Sequence, residues 1–220
     1  MFSVMISIQH QCIFVEVPKT GSTSIRRILG SPNVPHLSCW EIRRLMLSEL
    51  DDAKKASIGR GFYRLLPQVT RRRLGGERFD SFYKFGFVRN PWDRVVSLYM
   101  RNEGIQSRHD QTFEQFVRKL RYSSATCIHP SPQVNQLDWF IDPSGNVIAD
   151  YIGKFETLDQ DWAIIRQKLR GDLPETLSRA KANPHKVRHY SLYYTDETRS
   201  IVADRFRLDI EYFDYQFESC

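Results

Sequence analysis

Ile13-Phe14-Val15-Glu16-Val17-Pro18-Lys19-Thr20-Gly21-Ser22-Thr23-Ser24-Ile25-Arg26 is the stretch on which the reading of this chain turns. Its opening run is apolar and rich in β-branched residues, the pattern of a buried strand. Pro18 has no N–H to give a ladder and ends the strand. Ile25, Ile28 and Leu29 then recur at helical spacing, with Ser22 or Ser24 able to cap the helix start. A strand, a tight turn and a helix N-terminus together make a geometry suited to anions, because the first N–H groups of a helix lack internal partners. The hydroxyls of Thr20, Ser22, Thr23 and Ser24 add donors, and Lys19 adds a mobile positive charge.

This is not the loop of nucleotide triphosphatases. That loop has a glycine, four residues, a second glycine, then Lys and Ser or Thr. Here the lysine precedes a single glycine, and no Mg²⁺ ligand is implied. The plainer alternative is an ordinary strand-to-helix turn whose hydroxyls only cap.

The totals bound the rest. A chain of 220 residues with 41% hydrophobic and 26% charged residues is globular, and a single domain over 1–220 is expected. The formal net charge of +6 favours an anionic partner without choosing one. The four cysteines, Cys12, Cys39, Cys127 and Cys220, fit no zinc spacing, and a reducing compartment is the simpler reading. Met1 to Ile8 is apolar but short and lacks a basic leader. No run approaches the ~18 to 20 apolar residues of a membrane span, so neither signal peptide nor anchor is expected.

Further along, Gly30 and Pro32 close the first helix, and a second helical pattern starts after His36 with Ile42, Leu45 and Met46 on one face. Residues 48–62 read as an exposed connection and 65–74 as a helix carrying Arg71-Arg72-Arg73. Phe82 to Val88 is the second clear strand. Arg89-Asn90-Pro91-Trp92-Asp93-Arg94 turns into a helix, with Pro91 tolerated in its first turn. Thr112 to Leu120 is a short amphipathic helix, and 122–136 a loop. Trp139 to Ile148 reads as a hairpin, Tyr151 to Phe155 as a last strand, and Asp159 to Leu169 as a helix. After a polar, basic loop over 171–191, Thr195 to Thr198 caps one final helix with Phe206, Ile210 and Phe213 on its buried face. Strands alternating with helices imply an α/β layered fold with a mainly parallel sheet, and ligands at the carboxyl edge of its strands.

The second corner sharpens the first. Arg89 ends its strand, and Ser97 follows eight positions later on the next helix. A guanidinium fork with a hydroxyl suits a terminal phosphate. Arg89 could equally pair with Asp93 and only stiffen the turn.

Together the corners resemble the sulfotransferases that use 3′-phosphoadenosine 5′-phosphosulfate (PAPS). Pro18-Lys19-Thr20-Gly21-Ser22-Thr23-Ser24 is similar to their 5′-phosphosulfate loop, and Phe87-Val88-Arg89-Asn90-Pro91-Trp92-Asp93-Arg94 with Ser97 to their 3′-phosphate motif. The match is closest to the family of Golgi carbohydrate sulfotransferases and their bacterial relatives. Phe155-Glu156-Thr157-Leu158, and the end from Tyr194 through Asp209-Ile210-Glu211-Tyr212-Phe213, extend the likeness over most of the chain.

The resemblance implies a three-layer, P-loop-like sulfotransferase fold with a central, mainly parallel sheet flanked by helices. It implies in-line sulfuryl transfer from PAPS to an acceptor hydroxyl or amine, with adenosine 3′,5′-bisphosphate (PAP) as product and no metal. Lys19 would stabilise the leaving 5′-phosphate. Residues Lys19, Thr20, Gly21, Ser22, Thr23 and Ser24 would hold that phosphate, and Arg89 and Ser97 the 3′-phosphate. Lys186 and Arg188 would close over the nucleotide or stay at the surface. For the base, His36 is the choice, at the start of the second helix; His129, beside Gln133, is the second candidate and could instead orient the acceptor. The acceptor stays open between a saccharide, a lipid-linked glycan and a small natural product. No nucleic-acid partner and no membrane span are expected. A soluble, cytoplasmic enzyme of bacterial type is the expectation, rather than a truncated Golgi-lumenal domain.

Overall fold

The computed structural model describes residues 6–30, 36–48, 76–100, 111–120, 133–177 and 188–219. The expected exposed connection after 48, the helix over 65–74, His129 and Lys186 lie outside these residues.

A four-stranded sheet forms the middle layer, in the order β1 (Ile6–Ser7), β2 (Cys12–Val15), β3 (Tyr83–Val88), β4 (Tyr151–Lys154). β1 runs antiparallel to β2, while β2, β3 and β4 are parallel. All four residues of β2 are buried, as a strand covered on both faces requires. Its alternation sorts the core. Cys12 and Phe14 face one apolar cluster with Phe85, Phe87, Ile25 and Trp162, whereas Ile13 and Val15 face another with Val88, Ile42, Trp139 and Phe140. Helix α1 (Ser22–Ile28) and the later helix through Trp162 and Ile165 thus cover one face, and α2 (Cys39–Ser48) and α3 (Pro91–Tyr99) the other. This is the mixed α/β architecture with a mainly parallel sheet that the sequence implied.

Two glycines let this stack close. A Cβ on Gly86 would meet the Phe140 ring at 2.5 Å, and one on Gly153 would meet the Phe87 ring at 2.7 Å. Both faces of the sheet are therefore packed directly by aromatic rings.

Several local expectations hold. Pro91 stands in the first turn of α3, behind an Asn90 cap whose Oδ1 accepts from Trp92 N. α4 (Phe113–Leu120) and α5 (Leu158–Arg166) fall where periodicity placed them. Thr195 and Thr198 form a reciprocal capping box at the start of α6 (Asp196–Arg205).

Others are corrected. Gly21, not Ser22 or Ser24, is the N-cap of α1, and no side chain caps it. The hairpin is reduced to a single bridge between Ile141 and Val147, with Trp139 in a 3-10 turn, Leu137–Trp139. The bridge closes on an Asp142 turn whose carboxylate takes up the N–H groups of Ser144 and Asn146. The final helix is two helices: α6 ends at the buried Phe206, and α7 (Arg207–Phe213) restarts after that one non-helical residue. Helical periodicity runs through such a break because the buried side chains keep their spacing on either side of it.

Candidate functional site

β2 and β3 lie side by side and parallel, so their carboxyl ends open onto the same edge. After β2 the chain makes a tight turn in which Lys19 (φ 73°) and Gly21 (φ 81°) are both left-handed. The carbonyls of this turn are anchored inward. Thr20 Oγ1 donates to Val17 O at 2.8 Å, Arg94 Nε to Pro18 O at 3.1 Å, and Arg89 Nη1 to Lys19 O at 3.1 Å. A trans peptide points its N–H opposite its C=O. Tying down the carbonyls of Pro18 and Lys19 therefore aims the N–H groups of Lys19 and Thr20 the other way. Successive amides set by left-handed residues make a concave anion cradle.

The hydroxyls divide the work unevenly. Thr20 is fully buried and spends its only O–H on Val17. Ser22 spends its own on Glu16 Oε1, at 2.5 Å. What these two residues can offer an anion is thus their main-chain N–H. Thr23, half-buried, and Ser24, buried, follow in the first turn of α1.

Arg89 is the meeting point of the two corners. Its Nε and Nη2 both donate to Asp93 Oδ2, at 2.9 and 2.7 Å. The pairing with Asp93 that the sequence allowed is present, but the same guanidinium also reaches the first loop through Lys19 O. Three of its N–H groups are engaged, out of about five that a guanidinium carries. Its plane lies over the Phe155 ring, 4.2 Å from the ring centre. Phe155 also packs under Gly21, where a Cβ would meet its Cε2 at 3.0 Å. One aromatic ring thus floors both corners.

The main chain at the end of β3 is held by residues far away in sequence. Arg89 N donates to Gln136 Oε1 at 2.9 Å and Gln136 Nε2 donates to Arg89 O at 2.8 Å. Asn90 N donates to Glu156 Oε1 at 2.7 Å. Gln136 N and Leu137 N in turn donate to the fully buried Asp209 carboxylate, at 2.8 and 3.0 Å. Burial pushes the Asp209 carboxyl above its ordinary range, against those hydrogen bonds.

His36 stands beside the first loop. Its Nδ1 lies 3.0 Å from Glu16 O. A carbonyl only accepts, so Nδ1 carries the hydrogen and Nε2 is the acceptor of the neutral ring. The ring meets Trp139 edge-on, with centres 6.3 Å apart. Gln133 Nε2 lies 3.4 Å from the Glu41 carboxylate that accepts from Ser38 N ahead of α2. Ser97 is half-buried on α3, and Arg188 is exposed ahead of the 3-10 turn Tyr190–Tyr193. Sequence reasoning passed over Glu16, Gln136 and Phe155 as site-forming residues; Phe155 alone carried a signal, as part of the Phe155-Glu156-Thr157-Leu158 motif.

Among the described residues, no group of three or more His, Cys, Asp or Glu is placed to hold a metal ion. No helix among them is long and apolar enough to cross a membrane.

The fold is a mainly parallel α/β sheet whose two strand-end corners, one with Lys19 and one with Arg89, are in contact at its carboxyl edge. The chain belongs to the sulfotransferase family, whose model matches residues 3–216. An uncharacterized protein of Archaeoglobus fulgidus is 34% identical over 111 residues, covering 50% of this chain and 83% of its own length. Carbohydrate sulfotransferase 10 of Xenopus laevis is 22% identical over an alignment of 249 positions, covering 97% of this chain and 67% of that protein. No solved structure matches.

Proposed function

We propose that this chain, acting as a single domain, transfers a sulfuryl group from PAPS to an acceptor hydroxyl or amine. The observation that carries this reading is the contact between corners: Arg89 Nη1 on Lys19 O at 3.1 Å. It sets an amide cradle and a guanidinium within one side chain's length, as a nucleotide with phosphates at both 3′ and 5′ positions requires.

In the reaction the bond from sulfur to the 5′-phosphate oxygen breaks and its electron pair stays on the phosphate. A new bond forms from sulfur to the acceptor atom, whose proton leaves. Lys19, with the N–H groups of residues 19 to 24, stabilises the charge that grows on the leaving phosphate. Arg89 and Ser97 bind the 3′-phosphate and so separate this donor from ATP. Arg188, with Lys186, closes over the nucleotide. His36 takes the acceptor proton at Nε2, the atom its Nδ1–H bond leaves able to accept. His129 and Gln133 serve the acceptor side. The acceptor we favour is a saccharide or small natural product, in keeping with the name of the Xenopus relative. A cytoplasmic setting agrees with Cys12 and Cys39, both free and buried.

Calorimetric titration with PAP, without metal, tests the reading. Binding is expected, with 5′-AMP and ATP weaker. Arg89→Ala should weaken PAP by about 10- to 100-fold, since a charged hydrogen bond is worth ~1.5 to 3 kcal/mol, and should weaken 5′-AMP less, only through the lost tie to Lys19 O. Equal affinity for PAP and ATP, or an Arg89→Ala loss as large for 5′-AMP as for PAP, overturns it.

A further inference from the structure

The geometry points to Glu16 as the residue that positions His36 and couples it to the first loop, an inference that rests on the sulfuryl-transfer reading. Glu16 directly follows β2, and its side chain is only 3% exposed. Both its main chain and its carboxylate converge on one imidazole nitrogen: Glu16 O lies 3.0 Å from His36 Nδ1 and Glu16 Oε2 lies 4.0 Å from it. The other oxygen, Oε1, is fastened by Ser22 Oγ at 2.5 Å and faces Arg26 Nε at 3.4 Å. Oε2 is buried and has no hydrogen-bond partner among the described residues.

A buried carboxylate oxygen without a partner is costly and calls for an explanation. Here the cost sits beside the ring that gains a proton. When His36 accepts the acceptor's proton at Nε2, the imidazolium carries its positive charge next to a carboxylate already in place. Stabilisation that needs no reorganisation at the moment of reaction is the most effective kind. Arg26 Nε, 3.4 Å from Oε1, offsets part of the charge that this buried carboxylate carries. The main-chain carbonyl meanwhile holds the ring in the tautomer that can act as base. Glu16 thus acts through His36 and is a positioning residue. Its hold on Ser22 links the placement of that base to the loop expected to carry the donor phosphate.

The experiment has two arms on the full chain. The first measures single-turnover release of labelled sulfate from PAPS, with water as the acceptor, in wild type, Glu16→Gln, His36→Ala and the double variant, with PAP affinity measured alongside. Glu16→Gln keeps an acceptor for Ser22 but removes the charge. Its rate should fall at least tenfold with PAP affinity within about twofold of wild type, and Glu16→Asp should recover part of the loss. In the His36→Ala background the same change should cost nothing further. An undiminished Glu16→Gln rate, or an equal loss with and without His36, overturns the proposal. The second arm reads the His36 ring by ¹⁵N NMR in the wild-type protein and needs neither turnover nor a variant that folds. A protonated Nδ1 in the neutral ring is expected, and a dominant Nε2–H tautomer overturns the proposal. Absence of PAP binding by wild type would instead sink the sulfuryl-transfer reading, while the NMR arm still decides the Glu16–His36 relation.

Discussion

Gln136 holds the main chain of Arg89 from both sides, accepting from its N–H at 2.9 Å and donating to its carbonyl at 2.8 Å. The amide side chain behaves as one more peptide unit at the end of β3, just where the strand must stop and the guanidinium must be aimed. Gln136→Leu would leave a buried N–H and a buried C=O unpaired, at about 1–3 kcal/mol each. Thermal unfolding should drop by roughly 5–15 °C for a chain of this size. PAP affinity should fall more than 5′-AMP affinity, because the aim of Arg89 is lost with its anchor. Equal losses for the two nucleotides would reduce Gln136 to a stabilising residue only.

Gly21→Ala should damage both corners at once. Gly21 sits at φ 81°, which costs an L-residue about 1–2 kcal/mol. The new Cβ would also press on Phe155 at 3.0 Å, and Phe155 lies under the Arg89 guanidinium. Weaker PAP binding and a lower melting temperature are both expected. Gly30→Ala is the control: its φ is 62°, but among the described residues nothing beyond its chain neighbours lies within 4 Å of the added Cβ. It should lower stability by a similar strain and leave PAP affinity unchanged, as calorimetry of the two variants would report.

Much of the frame was legible because local chemistry wrote it. Pro18 and Gly21 marked the first turn, Pro91 the start of α3, and Thr195 the cap of α6, each through a backbone property of its own residue. What was not legible acts across long separations. Gln136 meets Arg89 from 47 positions away, and Asp209 meets Gln136 from 73. No periodicity marks a side chain that bonds to another segment's main chain. Glu16 was hidden for a different reason: a lone acid at the end of an apolar strand reads as the strand turning to solvent, whereas here it is buried against Ser22, Arg26 and His36. Capping by Ser22 or Ser24 failed as an expectation because the turn needs a left-handed residue at the cap position, which Gly21 supplies.

Asp209 should make stability fall as pH rises. Burial raises its carboxyl above the ordinary value of 3.8. The unfolded chain therefore ionises this group first, and the folded state binds the extra proton between the ordinary and the raised value. Over that window wild type loses stability with rising pH, and above it the loss levels off. Asp209→Asn removes the titration, so the difference between wild type and variant, followed by urea unfolding from about pH 3.5 upward, should shift against wild type through the window. The variant should nevertheless be the less stable protein at low pH. Both oxygens of Asp209 accept main-chain N–H groups, from Gln136 and Leu137; the hydroxyl oxygen of the protonated carboxyl can still accept, whereas an amide NH₂ in its place meets a donor with a donor. A pH-independent difference would show that Asp209 titrates as it does in the unfolded chain.

Cys12 and Cys39 should be inert thiols in the native protein. Both are free and fully buried, and burial pushes each up to about 12. At about pH 8 roughly one molecule in ten thousand then carries the reactive thiolate at either position. Cys12 belongs to β2 and to the core facing α1, so exposing its sulfur requires opening the strand that leads into Pro18 and Lys19. Iodoacetamide labelling mapped by mass spectrometry should leave both unmodified until denaturant is added, and their labelling midpoint should coincide with global unfolding. PAP should move that midpoint to higher denaturant, by linkage, since the turn it is expected to bind continues directly from β2. Labelling of Cys12 well below the unfolding transition would show that β2 opens locally, and with it the turn that holds the first corner's amides.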